Sequence, residues 1–170
     1  MAKLDPSIER KAQAVAERQA DFSANPGKSL VTVKASSWVG GVTGTRPTRM
    51  GEYIVISDSA PGLGGNSLGP TSPELLLGAL ASCLVHTYLI QATLLQIPLD
   101  QVEIDVQAQL DFAGVVGLPV ELPPQLRNIR YHAKVTSPAD EAEIQRLHAA
   151  VDVSCPVLNT LVNPTDVQRM

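Results

Sequence analysis

Residues 72–97, SPELLLGALASCLVHTYLIQATLLQI, decide the fold. Ser72-Pro73-Glu74 carries helix-start chemistry: a capping hydroxyl, a proline at the first position and an acid in the first turn. The run that follows is apolar on nearly every side and stops near Ile97-Pro98. A helix apolar all round is buried all round. At about 1.5 Å per residue it would be roughly 35 Å long. A chain of 170 residues has little material to wrap it, so a second copy is its natural cover. Gly78, in the second turn, would let another backbone come close.

Outward from this helix, the pattern predicts an α+β chain. Val102 to Phe112 alternates strictly between apolar and polar residues, which predicts a strand with one face in the core. Ile129, Tyr131, Ala133 and Val135 alternate again. Before the central helix, Leu30 to Ser37 and Glu52 to Ser57 are rich in β-branched residues. They read as a hairpin around the glycine-rich loop WVGGVTGTRPTRMG. Asp5-Pro6 starts a first helix that Asn25-Pro26-Gly27 stops. Its weakly apolar stripe, Ile8 to Phe22, suits packing on a neighbour and not in the main core. Ser137-Pro138 is read as the cap of a third helix, and a short fourth runs from about Ser154 to Leu161. The order is helix, two strands, helix, two strands, two helices, with mostly antiparallel sheets.

Composition narrows the function classes. Apolar residues make up 44% and aromatics 4%, so the core is built from Val, Leu, Ile and Ala. A net charge of −4 argues against a nucleic-acid surface. The apolar stretch from Leu75 to Val85 is about half the ~20 residues needed to cross a membrane. The first residues are charged throughout and lack an apolar signal region, so the expected location is cytoplasmic. In a reducing cytosol two cysteines do not serve as a permanent structural disulfide. They are either reactive or idle.

Cys83, in the third turn of the apolar helix, taken alone reads as a small buried hydrophobe. Cys155 differs, because it opens a helix, where backbone N–H groups and the dipole favour a thiolate. The pair makes sense if folding brings them together.

GPTSPELLLGALASCL (residues 69–84) and CPVLNTL (residues 155–161), with their cysteines 72 residues apart, together resemble the OsmC/Ohr family of thiol-dependent hydroperoxide reductases. YIVISDSAPGLGG (residues 53–65) resembles that family's second strand and glycine loop. The similarity runs from about Val31 to Asn163. It divides the chain into an N-terminal helical arm, residues 1–28, extra to the minimal pattern, and an OsmC-like domain, residues 29–170. It implies antiparallel sheets wrapped around long central helices in an intertwined homodimer, with sites at the subunit interface. It also implies roles. Cys83 matches the peroxidatic cysteine, which attacks an organic hydroperoxide and becomes a sulfenic acid. Cys155 matches the resolving cysteine, which condenses with it to a disulfide. An external dithiol, lipoyl-based in this family, resets the pair, and no cofactor is needed. The apolar surroundings suit a fatty or aromatic hydroperoxide.

Burial raises a thiol's pKa, and Cys83 is too far from its helix start to feel the dipole. A cation must stand near it. The family uses an arginine from the first hairpin, oriented by a glutamate. Arg46 and Arg49 are the candidates here, and Arg49 is favoured for its place just before the next strand. Glu74, in the family-like PELL, is the glutamate. It stands nine residues before Cys83, one short of the family's usual spacing. At about 100° per residue that puts it across the helix. Either the helix starts irregularly or Glu74 only complements the dipole.

Two other classes compete. A Cys-x-x-His pair, Cys83 and His86, could join Cys155 and His132 or His148 around zinc, but structural zinc sites show paired close ligands on both sides. His86 reads instead as a satisfied buried histidine or a modulator of the thiol, His132 and His148 as surface groups, and Trp38 as packing. The same fold could also hold a small hydrophobic or electrophilic ligand at the dimer interface without turnover. A Cys83 pKa well above 8 would favour that binder.

Overall fold

The computed structural model describes residues 2–163 and 165–169. Its elements are α1 (Asp5–Ala24), β1 (Ala35–Ser37), β2 (Arg46–Met50), β3 (Tyr53–Ser57), α2 (Ser72–Leu95), β4 (Gln101–Leu110), β5 (Leu126–Thr136), α3 (Glu141–Ser154) and α4 (Pro156–Val162). Strands β1-β2-β3 form one antiparallel sheet and β4-β5 another. The α+β class with antiparallel sheets is as the sequence predicts. The chain forms two compact units: Met1–Ala24 with Leu77–Met170, and Asn25–Leu76.

The first unit holds the core. Leu80, Leu84, Tyr88 and Ala92, spaced four apart, give α2 one fully buried stripe. Leu147 and Val151 of α3, Cys155, and Ile97, Leu99 and Val102 complete the cluster. The inward residues of β5, Ile129, Tyr131, Ala133 and Val135, pack against it, as their alternation predicts. α1 is tied down at its start, where Lys3 N–H donates to Asp100 Oδ1 (2.6 Å) and Leu4 N–H to the Leu99 carbonyl (2.9 Å). Leu4 and, of the predicted stripe, Ile8 pack on the main core, because the chain entering α1 is hydrogen-bonded beside Leu99; no residue of α1 is fully buried. The cap of α3 also differs. Asp140 Oδ1 accepts from Glu143 N–H at 2.9 Å, while Ser137 Oγ accepts from Ala139 N–H and donates to the Pro98 carbonyl.

By length and composition α2 could cross a membrane, with a hydropathy of 1.6 over its most apolar window. Here it is the core helix, but only in part. Leu76 and Leu94 stay exposed, and nothing approaches a side chain built at Gly78.

The second unit corrects the expected hairpin. Arg46 and Arg49 lie in the central strand β2, paired with Ser57 and Ile54 of β3, and not in a loop. Pro47 and the flanking glycines conceal this strand, since proline lacks the N–H that an interior strand uses. The Pro47 carbonyl still accepts from Trp38 N–H at 3.3 Å. The predicted first strand shrinks to β1, leaving Leu30 and Val33 88% and 89% exposed.

After β3 the glycine loop is organised by Asp58, 1% exposed. Its carboxylate accepts from the backbone N–H groups of Ser59 (2.8 Å), Asn66 (2.9 Å) and Leu68 (3.1 Å). The Leu68 and Ser59 bonds are the main reasons its pKa lies below the usual carboxylate value; Asn66 and the Arg46 charge add to them against burial. A Cβ on Gly65 or Gly69 would stand 1.9 Å from the Ser59 carbonyl oxygen or 2.0 Å from that of Ile56, so both positions require glycine.

Candidate active site

Cys83 projects from α2 and is half-buried. Cys155 is 0% exposed, inside the core. Cys155 ends one helix and begins the next. Its N–H donates to the Val151 carbonyl (2.9 Å), and its own carbonyl receives Asn159 N–H (2.9 Å). Pro156 suits the first position of α4 because that position has no N–H to satisfy. The two side chains interact, and both are free thiols.

Four influences act on the Cys83 thiol, whose pKa is raised. Burial is the largest. The backbone N–H of Val157 opposes it. Cys155 raises the pKa further, and Thr87 lowers it. Thr87 is itself buried, and its hydroxyl donates to the Cys83 carbonyl at 2.8 Å. No basic side chain is among these influences.

Polar groups surround the bend between α3 and α4. Asn159 Nδ2 donates to the carbonyls of Asp152 (3.3 Å), Val153 (3.3 Å) and Cys155 (2.9 Å). The Tyr131 hydroxyl, from β5, donates to Asp152 Oδ1. Tyr88 OH and His148 Nδ1 are 2.5 Å apart, with their rings edge to face. Burial, then the Asp152 charge, pushes the Tyr88 hydroxyl up to about 12. Burial, then the Asp152 bond, raises Tyr131.

The other candidates are placed as follows. Glu74 forms a reciprocal cap: its Oε2 accepts from Thr71 N–H (2.7 Å) and Thr71 Oγ1 (2.8 Å), and its N–H faces Thr71 Oγ1 at 3.4 Å. Thr71, not Ser72, is therefore the capping residue, and these bonds lower the Glu74 pKa. Arg46 Nη1 donates to the Gly44 carbonyl and to Ser59 Oγ, each at 3.3 Å. Arg49 is exposed and borders a groove of about 770 Å³ with Thr32–Ser36, Met50 and Gly51. His86 is at the surface, not buried, because its position faces outward from the α2 core stripe; partial burial and Lys11 lower its pKa. His132 is exposed, as expected. His148 is not a free surface group, because Tyr88 holds it. Among the described residues no group of three or more His, Cys, Asp or Glu is arranged to hold a metal.

Sequence reasoning missed Asp58, Thr71, Asn159 and the two tyrosine pairs. The pattern T-x-x-E at residues 71–74 signals the cap. Asp58 directly before a glycine-rich loop is a weaker signal, and nothing in the sequence pairs Tyr131 with Asp152.

The fold defines a small α+β protein with two free cysteines, Cys155 in the core and Cys83 packed against the same cluster. Residues 64–169 match the family described as OsmC-like protein. The chain belongs to this family. It is similar to an OsmC-like protein from Mycoplasma pneumoniae, with 21% identity, 78% of this chain and 89% of that chain covered, and a TM-score of 0.67. It is also similar to an organic hydroperoxide resistance protein OsmC from Legionella pneumophila, with 23% identity, 78% and 90% covered, and a TM-score of 0.60. A third is the organic hydroperoxide resistance protein OhrB of Bacillus subtilis, with 20% identity, 76% and 90% covered, and a TM-score of 0.54. At these identities the likeness shows the fold. No protein of curated function matches the sequence.

Proposed function

We propose that this chain is a cytoplasmic, homodimeric peroxidase that reduces organic hydroperoxides to alcohols through Cys83 and Cys155. The observation that carries the reading is that Cys83 packs against the core cluster that contains Cys155, with both thiols free and Cys155 influencing the Cys83 thiol. Solved structures of similar fold named for organic hydroperoxide resistance support the substrate class.

The chemistry balances with two thiols and one peroxide. The Cys83 thiolate attacks the terminal oxygen of ROOH. An S–O bond forms, the O–O bond breaks, and the alkoxide takes a proton and leaves as ROH. The sulfur has lost two electrons and is now a sulfenic acid. Cys155 sulfur then attacks it. The S–S bond forms, the S–O bond breaks, and the Cys155 proton leaves with the hydroxide as water. An external dithiol, lipoyl-based in our reading, reduces the disulfide by exchange. Arg49 supplies the positive charge that favours the Cys83 thiolate, and Glu74 orients it. Arg46 is the poorer candidate because Gly44, Ser59 and Asp58 already engage it.

Stopped-flow mixing of reduced protein with cumene hydroperoxide, with peptide mapping, tests the proposal. A Cys83–Cys155 disulfide is expected within seconds. Its absence after minutes overturns the enzymatic reading. The raised Cys83 pKa favours a second reading, a protein that holds a small hydrophobic or electrophilic ligand at the dimer interface without turnover. That reading predicts saturable binding of such a ligand with no disulfide.

A further inference from the structure

We infer that Asn159 is a positioning residue for the resolving step: its side-chain amide holds the backbone bend that presents Cys155 to Cys83. The inference rests on the dithiol reading above and adds to it a residue with no thiol chemistry of its own.

The bend is an unusual piece of backbone. Cys155 is the last cap of α3 and the first of α4. The final carbonyls of a helix lack intrahelical partners. Here the carbonyls of Asp152, Val153 and Cys155 converge on one group, Asn159 Nδ2, at 3.3, 3.3 and 2.9 Å. An amide nitrogen has two hydrogens, so the three acceptors share them. The Asn159 backbone N–H donates to Cys155 as well. Asn159 therefore grips the bend from α4 by both its backbone and its side chain.

A second restraint comes from the sheet. The Tyr131 hydroxyl donates to Asp152, one turn before Cys155. Residues 148 and 152 fall on one face of α3 at helical spacing, and Cys155 follows as its C-cap. His148, bonded to Tyr88 of α2, restrains the same face further back. Cys155 is thus fixed from α4, from β5 and, through α3, from α2.

Disulfide formation depends on this fixity. A bridge needs the two Cα atoms within roughly 4.4–6.8 Å and a restricted dihedral. The sulfenic acid on Cys83 gains from Cys155 only what a held neighbour supplies over a free thiol, and a misplacement of about 1 Å can cost 10²-fold. Without the amide, the α3 carbonyls turn to water and the bend can rotate Cys155 away.

Asn159→Ala removes the side-chain bonds. Asn159→Ser keeps one donor, because a serine hydroxyl in a helix reaches the carbonyl four residues back, here that of Cys155. Tyr131→Phe removes only the sheet restraint. Each reduced variant and the wild type is mixed with one equivalent of cumene hydroperoxide, with and without dimedone to trap sulfenic acid. For Asn159→Ala the expected result is disulfide formation slowed about tenfold or more relative to Cys83 oxidation, with dimedone adduct accumulating. Asn159→Ser recovers part of the rate, and Tyr131→Phe loses less than Asn159→Ala. A merely structural role would change melting temperature without this split between the two steps. Disulfide formation in Asn159→Ala at the wild-type rate overturns the inference.

A second measurement needs no peroxide. Equilibration in glutathione buffers reads how strongly the fold favours the Cys83–Cys155 bridge. Asn159→Ala is expected to shift that equilibrium about tenfold towards the dithiol, with Asn159→Ser between. An unshifted equilibrium overturns the inference. If wild-type Cys83 does not react with the peroxide, the peroxidase reading fails alone, and this equilibrium still decides the role of Asn159. If Asn159→Ala does not fold, Asn159→Ser carries the test in both assays.

Discussion

Val157, at the second position of the short helix that Cys155 opens, turns its backbone N–H on the thiol of Cys83. The start of this helix thus acts on a cysteine of another element. Folding brings to Cys83 both a second sulfur and an amide that favours its thiolate. The amide does not prevail, because burial is the larger influence and Cys155 adds to it.

Cys83 in the isolated chain is therefore expected to titrate above an ordinary thiol. Its alkylation by iodoacetamide, followed by peptide mass spectrometry, should keep rising with pH beyond the range where a model thiol levels off. Cys155→Ala removes an influence that favours the neutral thiol, so the profile should move to lower pH. A group with a raised folded pKa stabilises the protein fully below its unfolded value, near 8.5, and that contribution is lost as pH rises through the folded value. Wild type should then lose more stability above about pH 8.5 than Cys83→Ala does. A Cys83 profile at or below that of a free thiol would mean that a cation outside these influences, Arg49 in the proposed reading, reaches the sulfur.

Arg49 and Arg46 should separate in a rate measurement. Loss of one electrostatic donor at a reacting centre costs about 10²–10³-fold. Arg49→Gln is expected to slow Cys83 oxidation by cumene hydroperoxide about 10²-fold. Arg46→Gln should act mainly on the Asp58 loop, lowering thermal stability with a smaller effect on rate. The reverse order would transfer the role to Arg46.

Glu74 can be tested without losing its cap. Glutamine also completes a capping box, so Glu74→Gln should melt close to wild type, while Thr71→Ala should lose about 1 kcal/mol. If the Glu74 charge orients the arginine, Glu74→Gln slows peroxide reduction, by less than the about 10²-fold expected for loss of the arginine itself. An unchanged rate would leave Glu74 as a cap alone.

Asp58 sets an acid limit. Its folded pKa is depressed, chiefly by the N–H groups of Leu68 and Ser59. Its contribution to stability is complete above the unfolded value, near 3.9, and is lost as pH falls below that towards the folded value. Wild type should lose stability below about pH 4 more steeply than Asp58→Asn, which should be weaker at neutral pH and flatter in acid. Melting curves from pH 7 to pH 3 decide this.

The legible parts of the fold were those where one period dominates. The Val102–Leu110 alternation survives as β4 and the 72–95 run as α2. β2 was hidden because Pro47, which has no N–H, sits in a strand whose neighbours on both sides still pair. The two cysteine motifs were legible only as a family resemblance, since no spacing rule links residues 83 and 155. The contacts that hold Cys155 were not legible. Asn159, Tyr131 and Asp152 are ordinary in their own elements and gain meaning only when β5 and the α3–α4 bend are packed together. His148 was misjudged for the same reason, as its partner Tyr88 is sixty residues away.

The apolar helix leads to the last expectation. Of the α2 side chains, Leu80, Leu84, Thr87, Tyr88 and Ala92 are buried. Leu76 and Leu94 are exposed, and Gly78 faces open space. Large apolar surface left to water is costly, at about 25 cal/mol per Å², and monomers rarely carry it. A second copy covering α2 removes that surface, and at Gly78 two backbones can approach closely. Gly78→Glu places a charge where that approach would occur, yet meets nothing within 4 Å in its own chain. It should therefore leave the fold intact and break the pair. Sedimentation should give a dimer for the wild type and a monomer for Gly78→Glu, with similar circular dichroism. A wild-type chain that sediments as a monomer at micromolar concentration would remove the dimer, and with it any site shared between subunits.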